Sequence, residues 1–409
     1  MPQLASFAPF ALVSLASLLA FSAQSSAPSA WPTAMPSSAP APQPTVLWQT
    51  APAASFSLDV QPLGVSPDGD ARALVRVVLR DASGAIVHLR RGADFDYFST
   101  PGDAQWQTRL RYGGPAAIVS VRDDGPVSVR VVANVPKELG TQRTSFDTRA
   151  WRGPRTVAEP VGPHLVRIGW FPQVRDGAVR VYRLGARGTR TLAATLRAPS
   201  SSWDDDAVKP GRVARYAVVR PHGAAATVHA GVPAQLADSG VDAIRGKSAW
   251  LAFSADPLDD ASYAKLDVDG IVDTAVRAGL RSIELRLAYG AFDEVTPPAK
   301  ATIDRLVDGL AAHHVAVIGW TVPRTVAFDD LARNLAVAAY RTPSGNGITG
   351  LAIDVERGAE FMGDGPRGYA ALRDYVGIVR RAAGPHVLLI ATIEDPYLER
   401  LDQSKFPYR

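Results

Sequence analysis

Asp354 and Glu356 stand two residues apart at the end of an apolar run, Ile348 to Ile353, in the stretch GITGLAIDVERG. Side chains of a strand alternate with period two, so both carboxylates point to one side of whatever sheet the run joins. Two carboxylates on one side suit acid–base work on an acetal: one protonates the leaving oxygen, the other acts as base or nucleophile. Like-charge repulsion raises the pKa of one member and fits it for the acid role. The bland alternative is a pair that salt-bridges Arg357 or Arg324, or that caps the following loop. Glu394, past the next apolar run, is the third catalytic candidate, because adjacent strand ends face one another across a barrel mouth. Tyr289, Trp320, Arg324, Asp395 and Tyr397 also fall at expected strand ends. There, aromatic rings can stack on sugar faces, and guanidinium or carboxylate groups can bind hydroxyls. Trp320 could equally pack beneath a helix. Glu284 and Arg286, inside an earlier strand, read either as support for the site from within or as a buried structural ion pair.

The elements that must hold these residues begin near Lys247. Strands are expected at Ser248–Ser254, Ser282–Tyr289, Val315–Val322, Ile348–Glu356 and His386–Ile393. Between them lie helical stretches at Val268–Ala278, Pro298–His313, Phe328–Tyr340 and Tyr369–Ala383. Strands recur at roughly thirty residues, the length of a βα unit. Gly279 and Gly384 each follow a helical run, as glycines just past a helix C-terminus do. The pattern predicts a parallel sheet under helices, either a (β/α) barrel or a doubly wound sheet. An eight-stranded barrel takes about 250 residues. The sequence ends soon after the fifth strand, so the expectation for 247–409 is a TIM-type barrel truncated after about five strands.

GLAIDVERG resembles the fourth-strand motif of the family-18 glycoside hydrolases, where acidic residues on alternate positions end in the acid Glu. Gly350, Ile353, Asp354 and Glu356 match, while Thr349 and Ala352 stand where that family usually has Asp. The resemblance implies a glycosidase-like barrel, with Glu356 as acid and a polysaccharide as substrate. The missing inner carboxylates would otherwise position and tune that pair. More broadly, 247–409 resembles the glycosyl hydrolase-like barrels of exported bacterial proteins.

Upstream, residues 1–23 form an apolar Ala/Leu/Ser segment followed by small residues, the pattern of a signal peptide, although no Lys or Arg precedes Arg72. An uncleaved anchor or a mis-assigned start codon would fit equally well. Residues 24–53 are a Pro/Ala/Ser-rich tether. Residues 54–150 carry short β-rich runs, at Ala73–Leu79, Ala85–Leu89, Phe95–Phe98, Gln105–Tyr112, Ala116–Val121 and Val127–Val132, with turn residues between them. This spacing predicts a β-sandwich, and VRVVLRDASGAIV with PVSVRVVA resembles bacterial immunoglobulin-like modules of the invasin type. Residues 151–236 give a second β-unit, with strands at Leu165–Phe171, Val179–Leu184, Arg190–Leu196, Val213–Arg220 and Ala226–Ala230. LVRIGWFP, VRVYRLG and KPGRVARYAVV resemble the fibronectin type III module, which implies that Trp170 and Tyr216 pack between its sheets. Ala234–Gly246 reads as a linker.

Composition narrows the chemistry. Cysteine is absent, which removes disulfides, thiol catalysis and Cys-ligated metal. The seven His show no HExxH spacing, and neither GxSxG nor GxxxxGK[ST] occurs. No cofactor and no metal site are expected. The formal charge of +4 on 409 residues, with Arg scattered among Asp and Glu, gives no nucleic-acid stripe. The expected protein is secreted, periplasmic or cell-surface, with no membrane segment beyond the leader. Its expected partners are a polysaccharide or cell-wall glycan, and cell-envelope proteins through the β-modules. It is read as a glycoside hydrolase or, alternatively, as a non-catalytic surface protein whose inactive barrel binds glycan or protein.

Overall fold

The computed structural model describes residues 53–87, 94–100, 105–108, 116–135, 137–151, 153–238, 241–252, 266–290, 292–295, 297–355, 362 and 365–393. The expected leader and tether, and Glu356, Glu394, Asp395 and Tyr397, lie outside the described residues. Among the described residues no helix is long and apolar enough to cross a membrane.

The chain folds as two antiparallel β-sandwiches followed by a five-stranded parallel sheet with helices, curled into an open half-barrel. In the first sandwich, β1 (Ser55–Val65), β2 (Ala71–Arg80), β5 (Ala116–Val121) and β4 (Gln105–Thr108) make one sheet, in the order β1-β2-β5-β4. β3 (Asp94–Thr100), β6 (Pro126–Val135) and β7 (Thr141–Asp147) make the other. Strict alternation on β2 sends Ala71, Ala73, Val75, Val77 and Leu79 into the core, where Phe95, Val129 and Val131 meet them from the facing sheet. β1 and β7 were not expected as strands, because their partly exposed residues lack a clean apolar repeat. The expected strand at Ala85–Leu89 is reduced, among its described residues, to a single bridge between Arg80 and Ile86.

The second sandwich pairs β12 (Ser200–Asp205), β9 (Leu165–Val174) and β8 (Thr156–Gly162) against β11 (Arg190–Arg197), β10 (Ala178–Leu184), β13 (Val213–Val219) and β14 (Ala226–Gly231). Trp170 and Tyr216 are 0% and 1% exposed in one core. Neither ring is left with a stranded polar atom: Trp170 Nε1 donates to Ser200 O at 3.1 Å, and Tyr216 Oη donates to Asp205 Oδ2 at 2.9 Å.

The parallel sheet runs β15 (Lys247–Leu251), β16 (Leu280–Tyr289), β18 (Ala316–Val322), β19 (Gly350–Val355) and β20 (Leu389–Ile393), with the two-residue β17 (Phe292–Asp293) paired antiparallel to β16. α1 (Val268–Arg277), α2 (Pro297–Ala312), α3 (Phe328–Ala338) and α4 (Gly365–Ala383) supply the crossovers. Gly279 and Gly384 have φ of +64° and +94°, the left-handed turn that ends α1 and α4. Ile283, Leu285, Val317, Leu351 and Ile353 face the helices, where they meet Leu306, Leu331, Leu335 and Tyr375.

The sandwiches are built into this half-barrel. Val161, Leu165 and Leu236 belong to the same core as α3 and α4, so the stretch expected to be a linker is anchored at Leu236. The β8–β9 turn holds the C-terminal end of α4, with His164 N donating to Ala382 O at 3.1 Å. At the N-terminus of α3 the N-cap residue, Ala327, makes no side-chain cap hydrogen bond. Asp68, from the β1–β2 turn of the first sandwich, accepts from Phe328 N at 2.7 Å instead. A free N–H at a helix start attracts a carboxylate from wherever the fold can bring one.

That carboxylate is itself fixed. Arg167 Nη1 donates to Asp68 Oδ1 at 2.7 Å and to Val326 O at 3.2 Å. Its Nε and Nη2 grip Asp204 at 2.7 and 3.0 Å. A second ion pair, Arg72 with Asp329, joins β2 to the first turn of α3. Gly69 lets the turn come this close. A Cβ there would lie 2.2 Å from Ser201 O, and its φ is +80°.

Candidate functional site

The face of the parallel sheet turned away from the helices is the inner face of the half-barrel. Register decides what it carries. Glu284 lies between Trp250 and Ile318, Trp320 between Arg286 and Ala352, and Ala352 beside Ile390. Asp354, two residues beyond Ala352 on β19, therefore shares this face, with Thr392 as its neighbour on β20. Ile318, Ala352 and Leu388 form the apolar floor, with Ile244, Trp320 and Ile390 against it.

The two indoles stack. Trp250 and Trp320 have ring centroids 5.9 Å apart at an interplanar angle of 25°, the offset arrangement that aromatic quadrupoles favour. Arg286 lies 5.6 Å from the Trp320 ring and 5.9 Å from that of Tyr289, and Arg324 lies 5.1 Å from Tyr289 on its own account. A row of alternating indole, guanidinium, phenol and guanidinium thus runs along this face. Arg286 Nε is held by both oxygens of Glu294, at 2.9 and 3.1 Å. Glu284 accepts from Thr392 Oγ1 at 3.2 Å. The two charged residues that the sequence places together on β16 thus have separate partners, one beyond β17 and one on β20. Burial pushes the Glu284 carboxyl above its ordinary range, with Thr392 and the nearby Trp250 indole drawing it back.

Arg324 is positioned from behind the sheet. Asp330, in the first turn of α3, accepts from the backbone N–H groups of Arg324 and Thr325 at 2.7 and 2.9 Å, and from Tyr375 Oη at 2.7 Å. Asn334 Nδ2 donates to the same tyrosine oxygen, and Thr321 Oγ1 donates to Asn334 Oδ1 at 2.7 Å. This chain runs from the sheet through two helices to the loop after β18. All four side chains are buried. Burial pushes the Asp330 carboxyl up to about 6 against the pull of its donors.

Of the residues expected to form the site, Asp354, Tyr289, Trp320 and Arg324 can be placed. Tyr289, Trp320 and Arg324 come together through the cation–π contacts. The open question over Trp320 is answered by the Trp250 stack: it lies on the inner face, half-buried, and not beneath a helix. Asp354 shares the face and is 4% exposed, an enclosed carboxylate. Its expected partners, Glu356 and Glu394, lie with Asp395 and Tyr397 outside the described residues. Trp250, Glu294 and Thr392 were missed. For Trp250 the signal was present, since Ala249 faces the helices and parity turns its neighbour inward. A shallow cleft lined by Val65, Trp151, Arg155 and Phe171 lies between the two sandwiches, away from the parallel sheet.

No family profile and no curated relative matches the sequence. Solved structures share parts of the fold at low identity. The Yersinia pseudotuberculosis adhesin InvE is similar at 12% identity and a TM-score of 0.21, over 45% of this chain and 64% of that one. A two-domain fibronectin type III segment of chicken tenascin is similar at 14% identity and a TM-score of 0.19, over 43% of this chain and 99% of that one. FN3tt is similar at 15% identity and a TM-score of 0.17, over 19% of this chain and 88% of that one. These are likenesses of the sandwich fold only.

Proposed function

We propose that the protein is a modular surface or secreted binding protein whose half-barrel holds a polysaccharide on its inner face without cleaving it. One observation carries this reading: the Trp250–Trp320 stack continued by Arg286, Tyr289 and Arg324. Half-buried indoles and a phenol offer flat apolar faces to sugar rings, and the guanidiniums and carboxylates around them offer partners for hydroxyls. The sandwiches brace the helices behind that face, so they act as a rigid mount. In this reading residues 1–23 direct export, 24–53 tether the folded part, and 54–150, 151–236 and 247–409 are the three units.

Glycoside hydrolysis is the second reading, favoured by the place of Asp354 at the carboxyl end of β19 on the inner face. There Asp354, Glu356 and Glu394 would supply the acid and base, with Asp395 and Tyr397 contacting substrate. The resemblance to family-18 barrels belongs to this reading, and Thr349 and Ala352 in the Asp positions weigh against it. Incubation with chitin, peptidoglycan and α- and β-glucans separates the two. Binding without new reducing ends supports the first reading. Release of reducing ends that Glu356→Gln abolishes replaces it with the second.

A further inference from the structure

The exposed face of the four-stranded sheet in the second sandwich has an unusual charge pattern. Val179, Val181, Tyr216 and Val218 face its core, so the alternate residues face out. Register sets Arg180 beside Thr195 and Val219, Arg215 beside His229, Arg190 beside Leu184 and Arg197 beside Ala178. All four arginines and His229 are exposed. The four strands, AVRVYRL, RTLAATLR, VARYAVV and ATVHAG, contain no Asp or Glu, although the whole chain has 44 Lys and Arg against 40 Asp and Glu. Arg183, which leaves the same sheet for the other side, is paired with Asp205. Arg180, Arg190, Arg197 and Arg215 have no ion-pair partner among the described residues. Between them Leu192 and Val213 are 53% and 60% exposed.

Solvated surface arginines are common, but a whole sheet face whose strands carry no counter-charge presents one positive field that attracts an anion. Spacing narrows the anion. Arg190 and Arg197 are seven residues apart, about 23 Å along the strand, and β11 and β13 are about 10 Å apart across the sheet. That span exceeds a small dianion and suits a linear polymer lying flat. Guanidinium forks grip carboxylate or sulfate in pairs, and Thr195 and Thr227 add hydroxyls between them. Tyr182 and the His229 imidazole are the rings on the face, on strands β10 and β14 with β13 between them, which gives bases no run of stacking platforms.

We infer that this face docks an acidic polysaccharide, on a surface separate from the half-barrel. The test is calorimetric titration of the full chain with polygalacturonate, with neutral dextran, duplex DNA and phosphatidylglycerol vesicles as comparators, at low and at physiological salt. Polygalacturonate binds and weakens as salt rises, and any binding of dextran is unchanged by the arginine substitutions. The triple reversal Arg180→Glu, Arg197→Glu and Arg215→Glu lowers polygalacturonate affinity at least tenfold while the thermal midpoint holds. If that variant fails to fold, the milder pair Arg180→Gln and Arg215→Gln gives at least a threefold loss. Absence of polygalacturonate binding, or affinity unchanged in the folded variants, overturns the inference. Tighter binding of DNA or of vesicles than of polygalacturonate overturns it too, in favour of those partners.

Discussion

At Asp330 a carboxyl with three hydrogen bonds sits where water does not reach. Its pKa of about 6, against 3.8 unperturbed, means that the folded state holds the proton more tightly than the unfolded chain. The sign follows. Stability from this group is full below pH 4 and is lost as pH rises through about 6, by about 3 kcal/mol. Asp330→Asn keeps the shape and removes the titration. Denaturant unfolding of both proteins at pH 4 and pH 7 therefore shows a steeper decline for the wild type, whereas parallel profiles refute the assignment. Asp70, also raised to about 6, contributes equally to both and cancels. In the second sandwich, Tyr216→Phe strips a buried hydroxyl from Asp205 and costs about 1–3 kcal/mol by the same method. The Trp170 and Tyr216 core positions were readable from local motifs. Asp330 was not, because an Asp in a first helical turn reads as an ordinary capping residue and Tyr375 reaches it only through the packing of α4 against α3.

At the scale of elements, α3 is the piece shared by everything. It packs on the sheet, starts at an N-terminus capped by Asp68 from another unit, and through Asp330 aims the loop that bears Arg324. Arg167 holds that cap with a side chain 8% exposed. Arg167→Ala leaves Asp68 and Asp204 facing one another without their cation and costs about 3 kcal/mol. Calorimetry is then expected to show one transition for the wild type and two for the variant, one for the parallel sheet and one for the sandwiches. A single unsplit transition at an unchanged temperature contradicts the junction. The βα spacing from Lys247 onward made the five parallel strands and four helices of the half-barrel legible to within a few residues, though not the two-residue β17, because one apolar face per element writes a period into the sequence. The junction wrote none. Asp68 and Phe328 are 260 positions apart, and an Asp in a turn reads as an ordinary turn residue.

Over the whole molecule, two sandwiches and a half-barrel share one brace, with a sugar-sized aromatic row on one face and an uncompensated arginine field on another. In the proposed reading, the inner face divides into stacked rings and enclosed carboxylates, and the burial of Asp354 weighs against its reaching a glycosidic oxygen. The fold class and three of the ring-face residues were legible as strand-end positions. The Trp250 stack needed the register of β15 against β16, which hydrophobic pattern alone does not set. The most direct measurement titrates the full chain and its Trp320→Ala variant with chitin, peptidoglycan and glucan fragments, following indole fluorescence and reducing ends in the same samples. The account predicts saturable binding to at least one of these glycans, weakened tenfold or more in Trp320→Ala, with no reducing ends released. Turnover by the wild type, or affinity indifferent to the loss of Trp320, would contradict it.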